Sequence, residues 1–151
     1  MNFEQFNFHP VIAKAVDNCG YKVPTPIQQK AIPHLLAGND LLGLAQTGTG
    51  KTAAFVLPTL QNLQEGPRKT VRSLILTPTR ELAEQIHENI LQMSKGSAIR
   101  SCTVYGGVSK QGQINKIKNG AEIVIACPGR LLDHINGGSI NLSNLEVLIL
   151  D

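Results

Sequence analysis

The chain has 151 residues, 42% hydrophobic and only 4% aromatic with no Trp, which is the length of one domain with a core of aliphatic side chains. A formal net charge of +3 permits a polyanion partner without requiring one. Cys19, Cys102 and Cys127 are far apart, and His9, His34, His87 and His134 show no ligand spacing with them, which argues against a disulfide framework and against structural zinc.

The N-terminal stretch Met1-Asn2-Phe3-Glu4-Gln5 has no basic region and no long apolar run, so neither a signal peptide nor a membrane span is expected. With reduced thiols, this suggests a soluble cytoplasmic protein, or a nuclear one. Residues 9–19 read as a helix: Pro10 suits the first turn, Val11, Ile12, Ala15 and Val16 form one face, and Gly20 stops it. Pro24 and Pro26 then stiffen an extended turn. A second helix is predicted over 26–36, and Pro33 is expected to bend it.

From residue 40 onward strands and helices alternate. Strands are predicted at 40–44, 71–77, 101–105, 122–126 and 146–150, and helices at 51–63, 80–93, 110–118 and 130–135. Residues 64–69 read as a polar surface loop, and no repeat or low-complexity segment appears. Regular βαβ order implies right-handed crossovers and a mostly parallel sheet. The fold class is therefore α/β.

Ala45-Gln46-Thr47-Gly48-Thr49-Gly50-Lys51-Thr52 follows the apolar run Leu41-Leu42-Gly43-Leu44 and precedes a helical run. Strand, glycine-rich loop and helix are the context of a phosphate-binding loop. Gly48 and Gly50 allow close backbone approach, and the loop N–H groups and the helix N-terminus favour an anion. Lys51 supplies a charge for the β- and γ-phosphates and Thr52 a hydroxyl for Mg²⁺. Ala45 stands where the generic pattern has glycine, and its small side chain still permits the turn.

In such a sheet, ligands sit beyond the carboxyl ends of the strands, so the residues after each strand carry the information. Asp151 ends the apolar run Val147-Leu148-Ile149-Leu150, a place where Mg²⁺ is held in phosphate-loop enzymes. Pro78-Thr79-Arg80 opens one helix, Pro128-Gly129-Arg130 another, and Gly106-Gly107 offers bare backbone between them. Each alone reads as ordinary capping, with Arg80 and Arg130 as surface residues. Their shared placement after successive strands favours a long polyanion gripped through phosphate and sugar. Gln28 follows the proline turn, where a carboxamide can pair with adenine's edge, and Tyr21 or Phe3 can stack on the base. From composition alone, the better reading of Gln28 is a solvent-facing residue of a helix's first turn.

Together these residues resemble the first RecA-like domain of the DEAD-box ATP-dependent RNA helicases. Gly20-Tyr21-x-x-Pro24-Thr25-Pro26-Ile27-Gln28, with Phe3 upstream, resembles the adenine-reading Q motif. Residues Ala45 to Thr52 resemble motif I, which in this family also begins with alanine. Pro78-Thr79-Arg80-Glu81-Leu82-Ala83 is similar to motif Ia, Gly106-Gly107 to the glycine doublet, and Pro128-Gly129-Arg130 to motif Ib. Asp151 corresponds to the first aspartate of the name-giving motif.

The resemblance implies a helical Q-motif segment over 1–39 and a RecA-like P-loop domain over 40–151, with helices on both faces of its sheet. ATP and Mg²⁺ are the implied cofactors, with Lys51 and Asp151 catalytic and Thr52 and Asp151 at the metal. Gln28 reads adenine, and Phe3 packs on the base. RNA is the implied partner, held along its backbone by Pro78, Thr79, Arg80, Gly106, Gly107, Pro128, Gly129 and Arg130.

Two departures are mild: Cys127 stands in place of threonine before Pro128-Gly129-Arg130, and Tyr21 in place of phenylalanine. The third concerns Asp151, the last residue. The glutamate that orients water, the coupling motif and the second RecA-like domain would lie beyond it. The expectation is therefore that the parent protein couples ATP hydrolysis to local RNA duplex unwinding. These 151 residues would bind ADP or ATP weakly without turnover, with an exposed sheet edge that favours self-association. The rivals are another P-loop NTPase and a non-catalytic RNA-binding module.

Overall fold

A computed structural model describes residues 2–151; Met1, part of the N-terminal stretch read above, lies outside the described residues. The chain folds as two compact units. The first runs to Glu65 and includes Asn89–Ala98; the second comprises Gly66–Glu88 and Ile99–Asp151.

The first unit is helical. A 3₁₀ turn, Phe3–Phe6, which the sequence reading did not anticipate, buries both its aromatic rings. Helix α1 spans Pro10–Asn18, with Pro10 in its first turn. The His9 side chain caps it, accepting the Val11 N–H at 3.2 Å, while the His9 N–H donates to Gln61 Oε1 at 2.7 Å. Helix α2 spans Pro26–Leu36 and contains Pro33 without ending there. Helix α3 spans Lys51–Asn62. The core is aliphatic, as composition demands: Ile12, Ile32, Leu57, Leu60 and Leu63 are fully buried. A side chain of that kind contributes about 1.5–3 kcal/mol on burial.

The strand predicted at 40–44 does not form. These residues adopt no regular structure and pair with no strand. Leu42 is 88% exposed and Leu44 87%. The physical reason is pairing: a strand exists only where another satisfies its N–H and C=O groups, and Gly43 adds no packing surface. Strand, loop and helix thus reduce here to loop and helix.

The second unit holds a four-stranded parallel sheet in the order β2-β3-β1-β4. The strands are β1 (Ser73–Leu76), β2 (Ser101–Val104), β3 (Ile123–Ala126) and β4 (Val147–Leu150). Three helices alternate with them: α4 (Arg80–Met93, whose last residues belong to the first unit), α5 (Lys110–Lys118) and α6 (Pro128–Asn136). All these elements lie where the apolar periodicity placed them, within a residue or two at their ends. Val71, Leu74, Cys102, Val104, Val124, Ala126, Leu131 and Ile140 form one cluster. Burial pushes the Cys102 thiol up to about 11, so it behaves as a packing group, not a nucleophile.

Charge concentrates at the amino ends of the strands. Arg72, Glu122 and Glu146 each stand immediately before a strand. Buried Arg72 pairs with Glu146, and Arg68 donates to Glu122 at 3.1 Å. Desolvation raises the Glu122 pKa, and the Arg68 charge opposes the shift. With ion pairs closing that end, the opposite end of the sheet carries the loops singled out by sequence.

Candidate functional site

In the first unit, the glycine-rich loop runs directly into α3. Gly50 is the N-cap, with φ +85° and no side-chain cap on the helix. Gly50 thus brings no capping side chain to the first turn of α3, which suits an anion there. The Thr49 hydroxyl donates to the Gln46 carbonyl at 2.6 Å and closes the loop on itself. Gln46, Thr47 and Gly48 are exposed, while Ala45, Thr49, Gly50, Lys51 and Thr52 are half-buried.

Gln28 reaches this loop from α2. It is 4% exposed, so the solvent-facing reading fails. Its Nε2 donates to the Gly50 carbonyl at 3.1 Å, and its Oε1 accepts the Thr25 N–H at 2.9 Å. One carboxamide thus caps α2 and holds the turn before α3. A Cβ at Gly50 would lie 2.5 Å from Gln28 Nε2, so the close approach and the positive φ both demand glycine there. This tie between distant stretches has no signal in local spacing.

Phe3 is 8% exposed and stacks on Tyr21, with ring centroids 6.1 Å apart. Its other neighbour is Phe6, edge to face at 5.9 Å. Tyr21 is half-buried and so keeps open surface that Phe3 lacks. Burial, and then the nearby Cys19, raise the Tyr21 pKa.

In the second unit, the loops after β1, β2 and β3 present the remaining candidates. Pro78, Thr79, Arg80, Gly106, Gly107, Pro128 and Gly129 are exposed. The Thr79 hydroxyl accepts the Leu82 N–H at 3.2 Å and caps α4, so the capping reading holds for that side chain. The Arg80 guanidinium sits 5.7 Å from the centre of the Tyr105 ring, a cation–π arrangement. The Tyr105 hydroxyl donates to Glu84 Oε1 at 2.7 Å, and that bond raises its pKa. Gly107 has φ +84°, with Arg80 Nη1 2.8 Å from where a Cβ would stand.

Arg130 points inward. Its Nη1 donates to the Val108 carbonyl at 3.1 Å and lies 3.4 Å from Gln113 Oε1, and its Nε is 3.8 Å from Asp133. Its side chain is 16% exposed. Asp151 follows β4, and its N–H donates to the Leu76 carbonyl at 2.9 Å, extending the β1–β4 ladder by one bond. Sequence reading missed Gln113 and His134, both buried beside Arg130. The one available cue was Gln113 standing four residues before Ile117, on the face α5 turns inward. Among the described residues, no group of three or more His, Cys, Asp or Glu is placed to hold a metal ion, and no helix is long and apolar enough to cross a membrane.

The chain is 45% identical over its whole length to the ATP-dependent RNA helicase DeaD of Haemophilus influenzae. It is 42% identical over its whole length to the ATP-dependent RNA helicase DBP3 of Lodderomyces elongisporus. Over 99% of its length it is 44% identical to the ATP-dependent RNA helicase CshA of Listeria monocytogenes. It spans only 25–28% of the length of these relatives. The parallel sheet with alternating helices is the architecture of a RecA-like domain. Residues 25–151 match the DEAD/DEAH box helicase family, and with these relatives the chain belongs to it.

Proposed function

We propose that this chain is the ATP- and RNA-binding part of an RNA helicase whose longer form couples ATP hydrolysis to local duplex unwinding. The 151 residues themselves bind adenine nucleotide without turning it over. The observation that carries the reading is the Gln28 carboxamide bonded to Gly50, because it joins the base-reading stretch to the phosphate loop within one unit.

The residues present fit a nucleotide. The uncapped start of α3, Lys51 and Thr52 suit its phosphates and Mg²⁺. Gln28 retains a second N–H on Nε2 and a second lone pair on Oε1 beyond the two bonds it makes, one donor and one acceptor for adenine's edge. Tyr21 offers the stacking surface. In the second unit, exposed Thr79, Arg80, Gly106, Gly107, Pro128 and Gly129 line an RNA backbone, giving affinity with little sequence preference.

Calorimetric titration with ADP and with GDP tests the nucleotide reading. ADP is expected to bind and GDP not, with ADP binding lost in Gln28→Ala. Equal binding of both nucleotides would favour another P-loop NTPase and overturn the adenine assignment.

A further inference from the structure

We infer that Gln113 and His134 are positioning residues of the RNA interface, a buried brace that holds the Gly106–Gly107 loop and the start of α6 in one arrangement. The inference rests on the RNA reading of these loops.

The geometry is closed on every side. Gln113 Nε2 donates to the Tyr105 carbonyl at 2.8 Å, at the root of the glycine doublet. Gln113 Oε1 lies 2.8 Å from His134 Nε2 and 3.4 Å from Arg130 Nη1. The same Arg130 nitrogen donates to the Val108 carbonyl, on the far side of that doublet. One carboxamide therefore anchors the loop at its beginning, and its oxygen partner Arg130 anchors it at its end.

These partners also assign the protons. With its amide reversed, Gln113 would set NH₂ against the Arg130 guanidinium and oxygen against the Tyr105 carbonyl, so only the stated orientation satisfies both. Its Oε1 then only accepts, which places the His134 proton on Nε2. His134 Nδ1 is left as an acceptor for the Ser139 hydroxyl at 2.7 Å. His134 is fully buried and Gln113 is 5% exposed, so neither bond is replaced cheaply by water. The charged groups around the ring are Lys110, Arg130 and Asp133; burial first, then Lys110 and Arg130, lower its pKa and keep it neutral.

Neither residue reaches the exposed surface that RNA would touch; both act through Tyr105, Val108 and Arg130. Removing the brace leaves the exposed residues of Thr79, Gly107 and Gly129 in place but frees their spacing, and affinity for an extended backbone depends on several contacts being met at once.

The test is an NMR titration of the 151-residue chain with single-stranded oligouridylate, following the amides of Gly106, Gly107 and Gly129, and with ADP, following Gly48 and Gly50. In Gln113→Ala, RNA affinity is expected to fall about tenfold while ADP affinity is unchanged. His134→Gln keeps a donor near the Nε2 position and is expected to retain RNA affinity; His134→Asn places its amide near Nδ1 and is expected to lose it. Wild-type RNA affinity in a folded Gln113→Ala chain would overturn the brace. If Gln113→Ala does not fold, the two His134 variants decide, and equal RNA affinity in both overturns it. Should RNA leave the Gly106, Gly107 and Gly129 amides of the unaltered chain unmoved, the RNA reading itself fails, and the inference with it.

Discussion

Two apolar runs in this chain have nearly the same chemistry and opposite fates. Ile123-Val124-Ile125-Ala126 forms β3, paired on both sides by β1 and β2 and wholly buried. Leu41-Leu42-Gly43-Leu44 leads into the glycine-rich loop, yet it forms no strand and leaves Leu42 and Leu44 almost fully exposed. The edge strand β4 stands between them, with Leu148 54% and Leu150 73% exposed. Hydrophobicity nominates a strand; a neighbour with unpaired N–H and C=O groups makes it one.

The largest test of this contrast is in β3. Ile125→Ala removes buried methyl groups from a strand closed on both sides, and about 2–5 kcal/mol of stability should be lost in urea denaturation. A loss under 1 kcal/mol would mean that β3 is no better packed than the exposed run. Next is the tie that orders the loop after that run. Gln28→Ala leaves the Thr25 N–H without its partner and the Gly50 carbonyl with only the Ala54 N–H, and about 1–3 kcal/mol should be lost. Hydrogen exchange should quicken at residues 46–52 and stay unchanged in the sheet.

A pH titration separates the second unit's buried polar centre from both apolar runs. His134 has its pKa lowered from 6.5 by burial, so the unfolded chain takes up a proton below that pH that the folded chain refuses. Stability is then full above pH 6.5 and declines as pH falls, until the folded ring itself protonates. His134→Gln should flatten the decline; His87, whose pKa is lowered chiefly by burial, adds a slope of the same sign and leaves part of it. The smallest effect belongs to Leu44→Ser, where 87% exposure predicts a change within about 0.5 kcal/mol. A loss above 1 kcal/mol in the same denaturation measurement would show the run to be packed in solution and would break the contrast.

Much of the molecule was legible in its residues. The order of β1 to β4 and α1 to α6 follows from apolar periodicity and from proline and glycine at element ends, because those signals act within a few residues. The candidate loops were legible too, since in a parallel sheet the residues after each strand gather along one edge. What local sequence could not reveal was partnership. Whether 40–44 pairs depends on a neighbour elsewhere. Whether Arg130 faces solvent or Val108 depends on where α5 and α6 bring Gln113 and His134.

The sequence by itself determined the α/β pattern, the glycine-rich loop that runs into α3, and the family. Each of these is written in adjacent residues and their spacing. Only the tertiary structure decided that Gln28 bonds to Gly50 across 22 positions, that Phe3 is buried and stacked on Tyr21, and that His134 bonds to Gln113. Such contacts depend on distance in space, and a hydrogen bond between residues far apart in the chain leaves no periodic trace in either stretch.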